Sequence, residues 1–456
     1  MRHEVIDETL MPRLSDLVTE RFGLQFPRNR WSDLQRGLEE ASNDLGVTDL
    51  SVVADILAGT ATKPQLDAIA SRLTVGETYF FREPASLDFL ERTILPELLR
   101  SRRQTGKRLR IWSAACCTGE EAYSIAILLR RVIPDLTDWQ VTILATDVNP
   151  VFLEKAVAGV YSEWSFRGAP EWLQLDYFKR AGNGRHEIHE GVKRQVSFSQ
   201  LNLVTDMVPS LALSTNAFDL ILCRNVLMYF SPSQAEKVVK NFERALVTDG
   251  WLIVSPTEAS HRIFSSFTHD KDYAVPCYRK TPVQKLPTRF EPAPPVITFE
   301  PPQIFEAQII GESVIEGPPE NGPEYCAQMA RVKANEGALD QAQTWCERWI
   351  AADKLSAAAY YLSAVILQEL GDVERARIQL QRAVYLDPNF VLAHFGLGKL
   401  ARDLGRDGEA SKHFNNALQY LQSLPQDEEL PESDGLTAGR LSEMISSINL
   451  ATDEHG

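Results

Sequence analysis

The segment RLTVGETYFFREP, residues 72 to 84, places the guanidinium of Arg82 directly after three aromatics, Tyr79, Phe80 and Phe81, with Thr78 before them and Glu83 after. An arginine fork held beside an aromatic anchor is suited to orienting an anion such as a carboxylate. The plainer reading pairs Arg82 with Glu83 or another surface acid. In IWSAACCTGEEAYS, every residue from Ser113 to Gly119 is small. Such a stretch between a strand and a helix lets the backbone approach a ligand, although it is not the GxGxxG dinucleotide fingerprint. The run ILATDVNP ends a strand on Asp147, where an acid can accept hydrogen bonds from ribose hydroxyls. FSQLNL adds Asn202 and Leu203, and FDLILCRNVLMYF adds Arg224, Asn225 and Tyr229. Singly, Asp147 also fits a helix cap, Asn202 a turn and Tyr229 a core position. Together they offer a nucleotide cofactor a ribose acceptor, polar adenine partners and an aromatic wall. Cys116 and Cys117 fit a small-residue loop better than a thiol nucleophile, because no histidine shares their motif.

These residues need a scaffold that gathers them. Short β-rich runs, LRIWS, VTILATD, QVSFS, FDLILC and WLIVS, alternate with helical segments such as EAYSIAILLRRVI. That alternation predicts an α/β fold, an open sheet covered on both faces, with ligands beyond the carboxyl ends of its strands. Ahead of it, residues 1 to 75 show apolar spacings of three and four and predict a helical subdomain. Residues 281 to 322 hold nine prolines and read as a linker. Beyond it, AAAYYLSAVILQELGDVERARIQLQRAVYLDPNF and the stretch that follows align at a 34-residue step, placing Gly371 over Gly405, Ala376 over Ala410 and Leu380 over Phe414. The step back reaches Gly337, Ala342, Cys346 and Trp349. This spacing is similar to the tetratricopeptide repeat.

A formal net charge of −15 argues against a dominant nucleic-acid or anionic-membrane footprint. Six scattered cysteines give neither a disulfide framework nor a CxxC metal pair. With no signal-peptide core and no long apolar run, a reducing cytoplasm is the expected compartment, without direct membrane insertion.

Four motifs, TYFFRE, WSAACCTGEEAYS, ATD at a strand end and FDLILCRNVLMYF, occur in this order over residues 10 to 280, and on them the chain resembles the chemotaxis receptor methyltransferases, the CheR family. The resemblance implies a class-I methyltransferase sheet over residues 76 to 280 carrying a small β-subdomain at about 172 to 198. The repeats are then expected at 323 to 425 and a C-terminal cap and tail at 426 to 456. It implies transfer of a methyl group from S-adenosylmethionine to glutamate carboxylates on the cytoplasmic helices of methyl-accepting receptors, without a metal. Cofactor contacts are implied for Thr78, Arg82, Ala114, Glu120, Asp147, Asn202, Leu203 and Tyr229, with Arg224 and Asn225 close by. Gly76 departs from the family, which commonly has asparagine two places before the threonine. A glutamate is already ionised near neutrality, its reference pKa being about 4.3, so transfer needs alignment more than a base. Arg82, assisted by the Tyr229 hydroxyl, is the expected positioner, and the repeats are expected to bind the receptor, a further signalling protein or the enzyme itself. The rival reading is a catalytically altered scaffold whose repeats carry the function.

Overall fold

The computed structural model describes residues 9–47, 49–104, 106–269, 273, 275–281 and 322–453. Nearly all of the expected linker, residues 282–321, lies outside them.

Four helices lead the chain: Met11–Phe22, Trp31–Asp44, Leu50–Ala58 and Lys63–Leu73. Their apolar faces, including Leu14, Val18, Leu34, Leu38 and Leu57, close into one core. Among the described residues nine strands follow, β1 (Arg108–Ala114), β2 (Gln140–Asp147), β3 (Val160–Ser162), β4 (Phe178–Gly182), β5 (Arg185–Ile188), β6 (Val196–Gln200), β7 (Phe218–Cys223), β8 (Leu246–Val254) and β9 (Cys277–Arg279). Six of them form a sheet in the order β6-β2-β1-β7-β8-β9, parallel except for the last pair. Strand β7 is buried throughout and β1 nearly so, as expected where helices cover both faces. The α/β sheet predicted from the alternating runs is the sheet observed, and the order reverses between β1 and β7, beside the cleft described below.

The other three strands make a small antiparallel sheet, β3-β5-β4. Its hairpin lies within the expected 172 to 198, but its third strand comes from Val160–Ser162, ahead of that segment. Three residues are too few to show an alternating pattern.

The helices of the C-terminal part pair at the repeat spacing: Pro323–Asn335 with Leu339–Ala352, Ala357–Glu369 with Val373–Leu386, and Val391–Asp403 with Asp407–Leu421. Gly337, Gly371 and Gly405 occupy the turns within the pairs at φ of 75°, 79° and 70°, the left-handed conformation that favours glycine. A last helix, Ala438–Asp453, buries Leu441 and Ile445 against the third pair.

The repeats dock on the amino ends of the parallel strands. Arg108 and Gln140 donate to the Glu369 carbonyl at 3.1 and 3.2 Å, and Arg110 forms an ion pair with the Glu369 carboxylate. Asn216 donates to Ala334 O at 3.4 Å, and Leu211 joins the apolar core of the first repeat. Polar side chains at strand starts carry no sequence signature of a docking surface.

Candidate active site

On the opposite edge of the sheet, beyond the carboxyl ends of β1, β2 and β7, lies an open cleft with an empty volume of about 1200 Å³, adjoining solvent included. The TYFFRE segment forms one wall. Phe80 is fully buried among Tyr161, Phe166 and Phe178, with ring centroids 4.9, 5.1 and 5.1 Å away. The backbone is tied on both sides: Phe80 N–H donates to Ser165 O at 2.8 Å, and Phe81 N–H to Ser124 Oγ at 3.1 Å. Phe81 and Glu83 take positive φ, 57° and 55°, so the chain reverses sharply around Arg82. Tyr79 stacks under Arg167, 4.1 Å from its ring centre. The aromatic run is thus a mooring on the small β-subdomain.

Arg82 is half-buried in the cleft wall and donates to Glu77 O at 2.6 Å. Among the described residues it has no carboxylate partner. Glu83 pairs with Arg224 (3.1 Å), so the plainer reading of Arg82 as the partner of Glu83 does not describe this chain. Arg224 is buried and bridges Glu83 to Glu121 (3.2 Å), while also donating to Arg82 O. Asn225 donates to Glu83 Oε1 at 3.3 Å and Ser255 Oγ at 3.0 Å. Three backbone N–H groups, of Asn225, Val226 and Met228, converge on the buried Glu258 carboxylate at 2.9, 2.6 and 3.3 Å. Glu258 therefore shapes the turn that carries Arg224 and Tyr229. It was legible only as the last member of the SPTE capping box, where Ser255 N–H donates to it at 2.9 Å.

The small-residue turn supplies the floor. Cys117 N–H donates to Asp147 Oδ2 at 2.8 Å, and Asn149 N–H to Asp147 Oδ1 at 2.9 Å. Asn149 caps the next helix by accepting from Val151 N–H at 2.9 Å, and it donates to Thr74 Oγ1 at 2.9 Å. Gly119 opens the following helix at φ 91°, and a Cβ there would lie 2.9 Å from Ala156 Cβ. Burial holds both thiols protonated, raising Cys117 to about 12 and Cys116 well above its ordinary value, which removes them as nucleophiles.

Of the residues singled out from sequence, Thr78, Arg82, Asp147, Asn202, Leu203, Arg224, Asn225 and Tyr229 line this one cleft. Ala114 and Glu120 do not. Ala114 ends β1 facing the core cluster that includes Leu144 and Leu252. Glu120 is buried on the far side of its helix, accepting from Thr118 (2.7 Å) and Ser165 (3.1 Å), and burial raises its carboxyl. Their chain neighbours Ala115 and Glu121 are the ones in the lining. At Gly76 an added Cβ would sit 2.8 Å from the Phe152 ring, so Phe152 takes space where the family commonly places a side chain.

The helical subdomain closes the cleft from above, which composition did not reveal. Gln25 N–H donates to Tyr229 O at 2.7 Å, and Ser231 N–H to Gly23 O at 3.0 Å. Phe22, Gln25, Phe26 and Arg30 thereby enter the lining.

Asp147 gives the cleft a pH dependence. Burial raises its carboxyl to about 6, against the three backbone N–H groups that lower it. The folded chain then keeps the proton from about pH 4, where the unfolded carboxylate releases it, up to about 6. Its contribution to stability is present at low pH and is lost as pH rises through that window, opposite in sign to a salt-bridged carboxylate. A hydroxyl that donates to this carboxyl is held more strongly by the ionised form. Affinity for a nucleoside ligand should therefore be roughly tenfold weaker at pH 5 than at pH 7, as read by calorimetry. Asp147→Ala should weaken binding by roughly 1.5–3 kcal/mol at pH 7 and flatten the profile.

A doubly wound sheet with an acid ending β2, a small-residue turn after β1 and a cleft over the carboxyl ends is a nucleotide-binding arrangement of the kind a class-I methyltransferase uses. Residues 76–271 match the family model described as CheR methyltransferase, SAM binding domain, and residues 357–390 match a tetratricopeptide repeat. The chain is 30% identical over 267 residues to chemotaxis protein methyltransferase 2 of Vibrio cholerae, spanning 59% of this chain and 91% of that one. It is 34% identical over 236 residues to the chemotaxis protein methyltransferase of Vibrio parahaemolyticus, spanning 51% and 80%. The probable biofilm formation methyltransferase WspC of Pseudomonas aeruginosa is 29% identical over 420 residues, spanning 86% and 94%. The chain belongs to the CheR methyltransferase family and carries C-terminal tetratricopeptide repeats. With the family come the methyl donor, S-adenosylmethionine, and the reaction, methylation of chemoreceptor glutamates. The family match implies that the catalytic half binds chemoreceptor-like proteins, and the repeats imply an additional protein partner.

Proposed function

We propose that Arg82 holds the acceptor glutamate in line with the donor methyl group, with Tyr229 as its second contact. The observation that carries this reading is the placement of Arg82: an arginine without a carboxylate partner among the described residues, moored beside its buried aromatic anchor in the same cleft as Asp147.

The donor set fits a nucleoside sulfonium. Asp147 would hold the ribose, Asn202 and Leu203 the adenine end, and Thr78 and Arg82 the amino-acid end. Bound there, S-adenosylmethionine supplies an electrophilic methyl group. The chain's own work is then to exclude water and aim a carboxylate oxygen at it. Arg82 is a positioner, because an arginine that gripped the nucleophile too firmly would stabilise the ground state as its charge is lost.

The receptor segment is a cytoplasmic helix, met by the hairpin of the small sheet. Arg180 and Arg185 are exposed there, whereas Lys179 and Arg194 are partly neutralised by Glu187 and Glu190 at 3.2 Å each. The acidic balance of the chain supports a protein substrate over nucleic acid. Likeness over nearly the whole chain to two proteins titled as biofilm formation methyltransferases supports a receptor in a pathway of that kind. The division into a helical subdomain to residue 75, a catalytic domain to 280 and repeats from 323 is part of the same proposal, as is a cytoplasmic location at receptor clusters.

Incubating the full chain and labelled S-adenosylmethionine with candidate receptors tests the receptor assignment. Label should enter a receptor's cytoplasmic helices and be lost when the acceptor glutamates are changed to alanine. Labelling confined to other segments would overturn it.

A further inference from the structure

The C-terminal helix reaches back to the turn whose Leu201, Asn202 and Leu203 line the cleft. Arg440 Nη2 donates to Gln200 O and to Asp206 Oδ2, both at 3.0 Å. The same Asp206 oxygen accepts the Asn202 backbone N–H at 2.9 Å, and Asp206 N–H returns a bond to Asn202 O at 3.0 Å. Asp206 therefore closes the turn that carries Asn202 and Leu203 into the cleft wall, and Arg440 holds Asp206. The two side chains are 22% and 17% exposed, so solvent screens the pair less than an open surface ion pair. Among the described residues, Arg440 is the only cation paired with Asp206. The catalytic half thus borrows this charge from beyond the repeats, some 230 residues along the chain.

We propose that Arg440 is a positioning residue for cofactor binding: it fixes the Leu201–Asp206 turn so that Asn202 and Leu203 present a preformed surface to the cofactor. The proposal rests on the cofactor reading of the cleft given above. Without Arg440 the Asp206 carboxylate is free to turn to solvent and release the Asn202 N–H, loosening a turn still tied by Asp206 N–H to Asn202 O at 3.0 Å, Val204 N–H to Asn202 Oδ1 at 3.0 Å and Asn202 Nδ2 to Arg21 O at 2.8 Å. Ordering that turn then falls on the binding step, which costs affinity without touching the transferring group. Cofactor affinity is thereby linked to this one contact of the C-terminal helix, and not to repeat docking in general.

The test uses the full chain, with S-adenosylhomocysteine binding by calorimetry and methylation kinetics against one receptor. Arg440→Ala should raise the Kd for S-adenosylhomocysteine and the KM for S-adenosylmethionine about tenfold, with kcat at saturation within about twofold of wild type. Arg440→Lys should recover most of the affinity, because a single nitrogen makes both contacts. Glu369→Gln weakens docking at the other end of the interface and should leave both constants unchanged. Unchanged Kd in folded Arg440→Ala would overturn the proposal, as would a fall in kcat alone. An equal rise in KM for Glu369→Gln would also overturn it, since general undocking then suffices. If the alanine variant does not fold, Arg440→Gln, which keeps most of the stem, is read by the same criteria. Failure of the wild-type chain to bind S-adenosylhomocysteine would instead sink the cofactor reading itself.

Discussion

Arg82→Ala should lower methyl transfer roughly 10²–10³-fold while the protein remains folded and still binds S-adenosylhomocysteine, more weakly. The loss is catalytic because the side chain lies in the cleft wall and the mooring does not depend on it. Phe80, buried among three rings, and the bonds from Phe80 N–H to Ser165 and from Phe81 N–H to Ser124 remain. What disappears is the fork that aligns the incoming carboxylate. Arg82→Lys should recover little, since an ammonium is a point charge that cannot engage a carboxylate through two parallel bonds. This is the reverse of the expectation at Arg440, where one nitrogen serves both acceptors. Single-turnover rates on a receptor fragment, with a thermal melt alongside, separate the two effects. Near-normal turnover by Arg82→Ala would mean that another group aligns the glutamate.

The largest effect on stability is expected at Arg224. It is buried between Glu83 and Glu121, and replacing it by methionine strands two acids in a poorly solvated site. Breaking a buried pair in this way costs roughly 3–5 kcal/mol. For a domain of this size that is a fall in Tm of about 6–20 °C. The triple change Glu83→Gln, Arg224→Met and Glu121→Gln removes the uncompensated charge and should regain much of the loss. Activity should stay low in both variants, because Arg224 also holds the Arg82 carbonyl and, with Glu83 and Ser255, the turn that presents Tyr229. Differential scanning calorimetry of the two variants checks the first half of this claim. A single variant that melts with the wild type would show that water or rearrangement already screens the two acids.

Much of the scaffold was legible because local patterns agree with the global fold. Alternating apolar strands and amphipathic helices specify a covered parallel sheet, and the 34-residue glycine spacing specifies helix pairs whose turns need a left-handed residue. Most of the cleft was legible too, since motifs at strand ends converge wherever a parallel sheet reverses its order. What sequence spacing could not resolve was which of two adjacent residues faces the cleft. Ala114 gives way to Ala115, and Glu120 to Glu121, through strand pleat and helix rotation that shift a side chain by one position. Nor could it show contacts made over long separations by ordinary polar side chains: Arg110 against Glu369, Arg440 against Asp206. Each of those residues has a satisfactory solvent-facing reading until the fold places an acceptor beside it. Glu258 illustrates the middle case, visible as a helix cap yet not as the acceptor for three turn amides.

The central claim is that this cleft transfers a methyl group to a glutamate carboxylate aligned by Arg82. Its most direct test is transfer of radiolabel from S-adenosylmethionine to a receptor fragment, followed by treatment with mild base. The account predicts that label is released as methanol, that mass spectrometry places it on glutamate side chains, and that Arg82→Ala abolishes nearly all of it. Label that survives base, or ester formation undiminished in Arg82→Ala, would contradict it.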